Sequence, residues 1–226
     1  FRRIISSQKY TDKMILLTKS CMDDLVGNGW KNPAYVIPNF ISTDDLPETL
    51  EPVTQRKQML YLGRMNWEKG IYEILDIARR LGDETFIFVG NIDNEQDLKK
   101  FTKELESVDN AKWLGPFYGV EKFDEIAKSK FLIFPTKRDE FPMTLIESTI
   151  LGCVPLVSNV GSVGEIVRDG FNGFYISPDD VDGIVERIVQ WKDNPDLERI
   201  SKNGVEFARD NFTSEAVEEK LLEIVG

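Results

Sequence analysis

The stretch FLIFPTKRDEFPMTLIE, Phe131 to Glu147, decides the fold. Phe131 to Phe134 is a short apolar run that reads as a buried strand. Pro135 and the charged residues Lys137, Arg138, Asp139 and Glu140 break it, and an amphipathic run begins at Pro142. The order is strand, loop, helix. Proline suits the first helical position, whose N–H has no intrahelical partner, so Pro142 marks helix position one in this reading. The free amides, at about Met143 and Thr144, then face outward beyond the carboxyl end of the strand, a place that suits phosphate. Asp139 in the loop and Glu147 in the helix, with seven residues between them, add carboxylates that accept bonds from hydroxyls.

Working outward, strands and helices alternate. Gln58–Leu62 reads as a strand, Gly70–Leu81 as a helix, Thr85–Val89 as a strand, Asn94–Ser107 as a helix and Lys112–Leu114 as a strand. A helix at Val120–Lys128 precedes the opening stretch, and a strand at Val154–Ser158 follows it. Beyond Gly173 come a strand at Phe174–Ile176 and helices at about Val181–Lys192, Leu197–Arg209 and Ser214–Ile224. Such alternation implies right-handed crossovers and a Rossmann-like parallel sheet of five or six strands, α/β in class, with helices on both faces. Ligands of such sheets sit at the carboxyl ends of the strands. Before Ile41 the chain carries a strand at Met14–Thr18, a helix at Ser20–Val26 and a strand at Tyr35–Ile37. Residues Phe1 to Asp12 show no period and read as a leader or the end of something removed. The division is therefore 1–40, leader and end of an interdomain region, and 41–226, the Rossmann-like domain. Phe1 in place of an initiator methionine suggests a fragment.

The second informative stretch is YLGRMNWEKGIYEIL. The strand ends at Gly63, Arg64 emerges at its carboxyl end, and Lys69 falls about where the next helix starts. A lysine there opposes the helix dipole and so serves something other than helix stability. Gly90 and Gly115 each close a strand, where glycine signals a tight turn. The two patterns that cradle phosphate in dinucleotide-binding and P-loop proteins, GxGxxG and GxxxxGK[ST], are both absent, which argues against an NAD enzyme and a P-loop NTPase.

Composition excludes more. A net charge of -11 argues against sequence-independent binding of nucleic acid. Any bound phosphate has to be held locally. There is no histidine, and Cys21 and Cys153 form no paired spacing, so neither a zinc site nor a disulfide framework is indicated. Cys153, with no histidine to activate it, reads as a buried small residue. No apolar run approaches the ~20 residues of a membrane span. A reducing cytosol is the expected setting.

PTKRDEFPMTLIESTILGCVPLVS, together with Gly63–Arg64 and Lys69–Gly70, resembles the signature of retaining glycosyltransferases of family 4, which have the GT-B fold. The Ile37–Pro38–Asn39 turn and the loop Gly161–Ser162–Val163–Gly164–Glu165 continue the likeness. Asp139 stands where the family usually has Glu, Glu140 and Pro142 where it usually has glycines, and Phe40 where glycine is commoner. The resemblance implies that Arg64 and Lys69 bind the donor diphosphate and stabilise the charge of the leaving group, and that Asp139 approaches the donor sugar. It implies that Glu147 holds the ribose, with Gly63, Gly90, Gly115, Pro116, Phe141, Met143 and Thr144 completing the nucleotide-sugar site. It further implies a UDP- or GDP-sugar donor and no metal or other cofactor for the diphosphate. The acceptor, a glycan or lipid-linked molecule, would be bound by a second, amino-terminal domain, without which this chain transfers nothing. A cytoplasmic enzyme is implied, with peripheral membrane contact open to the missing domain. A glycosidase, which also uses paired carboxylates, leaves the two cations without a use. A GT-B nucleotide-sugar epimerase and a non-catalytic nucleotide-sugar-binding module are the alternatives.

Overall fold

The computed structural model describes residues 2–225, and Phe1 and Gly226 lie outside the described residues. Residues 2–10, which show no period in the sequence, are helical. α1 (Arg2–Ser7) runs into a 3-10 turn at Gln8–Tyr10. Its hydroxyls fold back locally, Ser6 Oγ and Ser7 Oγ donating to the carbonyls of Arg3 and Ile4 at 2.8 and 2.7 Å. No residue from 3 to 10 is buried, so this helix leaves no apolar period to read.

β1 (Met14–Leu16), α2 (Lys19–Gly27) and β2 (Ala34–Val36) form a small parallel crossover unit, Met14 beside Ala34 and Leu16 beside Val36. The Thr18 hydroxyl caps α2 by accepting from the Cys21 N–H at 3.0 Å. The large sheet follows in chain order: β3 (Gln58–Leu62), α3 (Ile71–Arg80), β4 (Thr85–Val89), α4 (Glu95–Leu105) and β5 (Ala111–Trp113). It continues with α5 (Gly119–Ala127), β6 (Ser129–Phe134), α6 (Met143–Ile150), β7 (Val154–Ser158) and β8 (Phe174–Ile176). Three further helices close the chain, α7 (Val181–Trp191), α8 (Leu197–Phe212) and α9 (Ser214–Val225).

The six strands are ordered β5-β4-β3-β6-β7-β8, and each neighbouring pair is parallel. Every residue of β6 and β7 is buried, the pattern of strands covered on both faces. α3 shows why the covering layers form: Ile71, Ile74, Leu75 and Ala78 make one apolar stripe. It packs against α4 and α7, while α6 packs against α5 and α8. No helix of the described residues is long and apolar enough to cross a membrane. Cys153 is buried in this core, and burial pushes its thiol up to about 12, opposed in part by the nearby Arg56 charge, so it is held as a neutral thiol.

The amino-terminal edge of the sheet is held by Arg56, which is buried. Its guanidinium donates to the carbonyls of Glu51 at 2.9 and 3.0 Å, Ser129 at 3.2 Å and Leu151 at 2.9 Å. It thereby ties the start of β6 to the end of α6, and burial lowers its pKa. Replacing it strands two buried acceptors, the Ser129 and Leu151 carbonyls. Arg56→Met is expected to destabilise the chain by about 2 to 4 kcal/mol in urea unfolding without changing ligand contacts at the opposite edge. Wild-type stability in that variant would show that water replaces the guanidinium at no cost.

Candidate functional site

Strand order reverses beside β3, since β4 and β5 lie on one side of it and β6 to β8 on the other. The loops after β3 and β6 therefore diverge, and the crevice they leave at the carboxyl edge is where open α/β sheets bind ligands. A cleft of about 340 Å³ occupies this edge. Gly63 and Arg64 from the loop after β3 line it, with Gly90, Asn91 and Asp93 from the loop after β4 and Pro116, Phe117 and Tyr118 before α5. Lys122 of α5 and Met143, Thr144 and Glu147 of α6 complete its wall.

Backbone hydrogen bonds carry the sheet past its strand ends. The Gly63 N–H donates to the Val89 carbonyl at 3.0 Å, Met65 N–H to Asn91 at 2.9 Å and Gly90 N–H to Gly115 at 2.9 Å. Gly90, at φ +153°, permits this, because a Cβ there would lie 1.8 Å from the Gly63 oxygen. Gly115, the partner of Gly90, supports this wall from behind and does not line the cleft. Beneath the crevice Tyr61 is wholly buried, its ring beside Phe134 and Phe88. Its hydroxyl donates to the Arg64 carbonyl at 2.6 Å. Burial, with the Asp139 charge adding, pushes the pKa of this phenol far up, so it stays a donor.

Two lysine–carboxylate pairs organise the site. Lys69 Nζ lies 2.6 Å from Asp139 Oδ2 and 2.7 Å from the Arg138 carbonyl, so the β3 and β6 loops meet through side chains. Their backbones meet too, Lys137 N–H donating to the Glu68 carbonyl at 2.8 Å. Lys69 lies two residues before α3, near the helix start the sequence suggests. It ends a 3-10 turn, Trp67–Lys69, capped by the Asn66 side chain at 3.1 Å, and left-handed Gly70 separates it from the helix. Its ammonium is thus turned to the neighbouring loop rather than to a helix dipole. Lys69 and Asp139 are not among the residues that line the cleft. The Phe134 ring lies 5.8 Å from Lys69 Nζ, and a Cβ at Gly63 would lie 3.8 Å from the same ring.

The second pair is Lys122 Nζ and Glu147 Oε1, 2.7 Å apart and inside the cleft. Lys122 was not legible as a site residue: it shares only helix α5 with its neighbours in sequence, and its partner comes from α6. Arg64, by contrast, is largely exposed and 3.5 Å from the equally exposed Asp93, a contact worth little in water. At α6 the proline reading is also corrected. Pro142 is extended (φ −72°, ψ 119°) and forms the cap, and Met143 is the first helical residue. The first bond of the turn comes from the Leu145 N–H, to Pro142 at 3.1 Å, so the amides of Met143 and Thr144 precede any intrahelical partner. Phe141 points elsewhere. It is buried against Phe212 and lines a wider, separate cleft of about 860 Å³ between α2, α8 and the 161–165 loop.

Residues 42–207 match the family described as Glycosyl transferases group 1. The chain belongs to this family. It is 28% identical over 206 residues to the uncharacterized glycosyltransferase MJ1178 of Methanocaldococcus jannaschii, covering 88% of this chain and 55% of that protein. It is 24% identical over 213 residues to the glycogen synthase of Mycobacterium tuberculosis, covering 91% of this chain and 50% of the synthase. The chain thus spans about half the length of these curated relatives. Its fold is similar to that of Anabaena HepE, solved in complex with UDP-glucose, with a TM-score of 0.81 at 16% identity over 99% of this chain and 66% of that one. The parallel sheet with helices on both faces matches GT-B glycosyltransferase structures.

In this member of the Glycosyl transferases group 1 family the loop before the 3-10 turn Val163–Glu165 buttresses Asp139. Ser162 N–H donates to the Glu140 carbonyl at 2.9 Å, and Gly161, at φ +55°, packs so closely that a Cβ would lie 2.0 Å from the Asp139 carbonyl oxygen. Gly161→Ala is expected to lower stability by about 2 kcal/mol or more, since both the backbone conformation and the contact oppose a side chain. Thermal unfolding checks this. An unchanged midpoint would mean that the Asp139 loop yields freely.

Proposed function

We propose that this chain is the nucleotide-sugar-binding domain of a retaining family 4 glycosyltransferase, which moves a sugar from a UDP- or GDP-sugar to a glycan, lipid-linked or other acceptor. The observation that carries this reading is the convergence, at the reversal of strand order, of Arg64, the two free amides of α6 and Glu147 around one cleft, with Lys69 and Asp139 adjoining it. HepE, similar in fold, was solved with UDP-glucose, which supports the same donor class here. In this reading the diphosphate takes the cations and the helix amides, with no resident metal, and fixed positive charge stabilises the leaving group more than the bound donor. Glu147 accepts from the ribose hydroxyls within the cleft. Asp139, paired with Lys69 beside the cleft, stands nearer the transferred sugar.

The acceptor enters through a second, amino-terminal domain of the whole enzyme, in the cytoplasm or at the inner membrane face, and this chain alone binds donor without transferring it. Because the acceptor attacks on the leaving-group face in retaining chemistry of this kind, neither carboxylate forms a covalent sugar adduct. Calorimetry divides the roles. Arg64→Ala and Lys69→Ala should each weaken UDP or GDP by about tenfold to a hundredfold, the worth of a charge-assisted bond to phosphate. Glu147→Gln should weaken nucleotide and nucleotide sugar by similar factors. Asp139→Asn should leave the bare nucleotide no weaker and lower turnover in the full-length enzyme. Wild-type affinity in both cation variants, or identical behaviour of the two carboxylate variants, would remove the reading.

A further inference from the structure

Glu147 is an unusual residue to find in the middle of α6, where Leu145, Ile146, Ser148, Thr149 and Ile150 are all buried around it. Its side chain is 10% exposed, and a carboxylate so enclosed requires a partner. Lys122 supplies it. The Lys122 side chain, 21% exposed, reaches from α5 to place Nζ at 2.7 Å from Oε1. Among the described residues Glu147 Oε2 accepts no hydrogen bond, and two of the three ammonium protons of Lys122 have no protein acceptor. Both groups face the cleft. One oxygen of the carboxylate is thus committed to the protein and the other is left to a ligand.

We propose that Lys122 is a positioning residue that sets Glu147 for recognition of a ribose diol, and so fixes a preference for ribonucleotides; this rests on the reading of the cleft as a nucleotide site. With Oε1 tethered, the carboxylate cannot rotate away and presents Oε2 to a pair of adjacent hydroxyls. A site built to accept bonds from hydroxyls discriminates against a ligand that lacks them, because a buried acceptor is then left unmet. Without the tether the carboxylate is free to adopt other rotamers, and that discrimination falls. A lysine placed merely to attract phosphate acts differently, since its loss weakens every diphosphate alike.

The test is calorimetric titration of the full chain with UDP and with the UDP analogue lacking both ribose hydroxyls. The wild type should prefer UDP by about tenfold or more, the worth of hydrogen bonds to a charged acceptor. Lys122→Met should lose most of that preference by weakening UDP while leaving the analogue unchanged. Lys122→Arg, which keeps the tether, should retain it. Once Glu147→Gln is present, adding Lys122→Met should cost UDP little more. If the methionine variant does not fold, Lys122→Gln carries the same comparison. Equal weakening of both ligands, or no change in either, overturns the inference while leaving the nucleotide reading intact. Failure of the wild type to bind any nucleoside diphosphate overturns both.

Discussion

The reversal of strand order beside β3 is the constraint on which the rest depends. β3 is hydrogen-bonded to β4 on one side and β6 on the other, and every strand points the same way, so the loops leaving β3 and β6 turn toward opposite faces of the sheet. One backbone hydrogen bond joins them, from Lys137 N–H to the Glu68 carbonyl at 2.8 Å. Side chains bridge the rest, with the Phe134 ring of β6 near both Gly63 and Lys69 and with the Lys69–Asp139 pair. Arg56 closes the opposite edge with hydrogen bonds to three carbonyl groups. Stability and chemistry therefore reside at different ends of the same strands.

Electrostatics at this edge are local. With a net charge of -11 the chain as a whole repels anions. The cations that matter are held in partly enclosed pairs, Lys69 with Asp139 and Lys122 with Glu147, each ammonium about one-fifth exposed. Enclosure strengthens the attraction within a pair and raises the cost of leaving either member alone. An incoming diphosphate near Lys69 meets a cation already shared with a carboxylate, so the pair exchanges partners rather than exposing a bare charge. Arg64, with its exposed and loosely held partner, is free to move onto a ligand at little cost.

Much of the fold was legible because its strands are short apolar runs with sharp ends. Gln58–Leu62, Thr85–Val89, Val154–Ser158 and Phe174–Ile176 have in the structure the bounds their sequences suggest. α1 was not legible, because helix without burial has no apolar stripe. Lys69 lies close to the helix start its sequence suggests, but the 3-10 turn that it ends, capped by Asn66, has no sequence signal of its own. The loops that form the cleft could be named from glycines, Arg64 and the α6 amides. Lys122, and the partition of Lys69, Asp139 and Phe141 away from the cleft, depend on contacts between residues far apart in the chain, which periodicity does not encode.

The central claim is that the crevice at the reversal of strand order, rather than the wider cleft beside α2 and α8, is the ligand site. Hydrogen–deuterium exchange of the full chain, with and without saturating UDP, tests it most directly. The account predicts slowed exchange confined to the segments 63–70, 90–93, 115–122 and 139–147, which surround the crevice. Protection appearing instead at 17–24 and 207–220, the walls of the wider cleft, would contradict it.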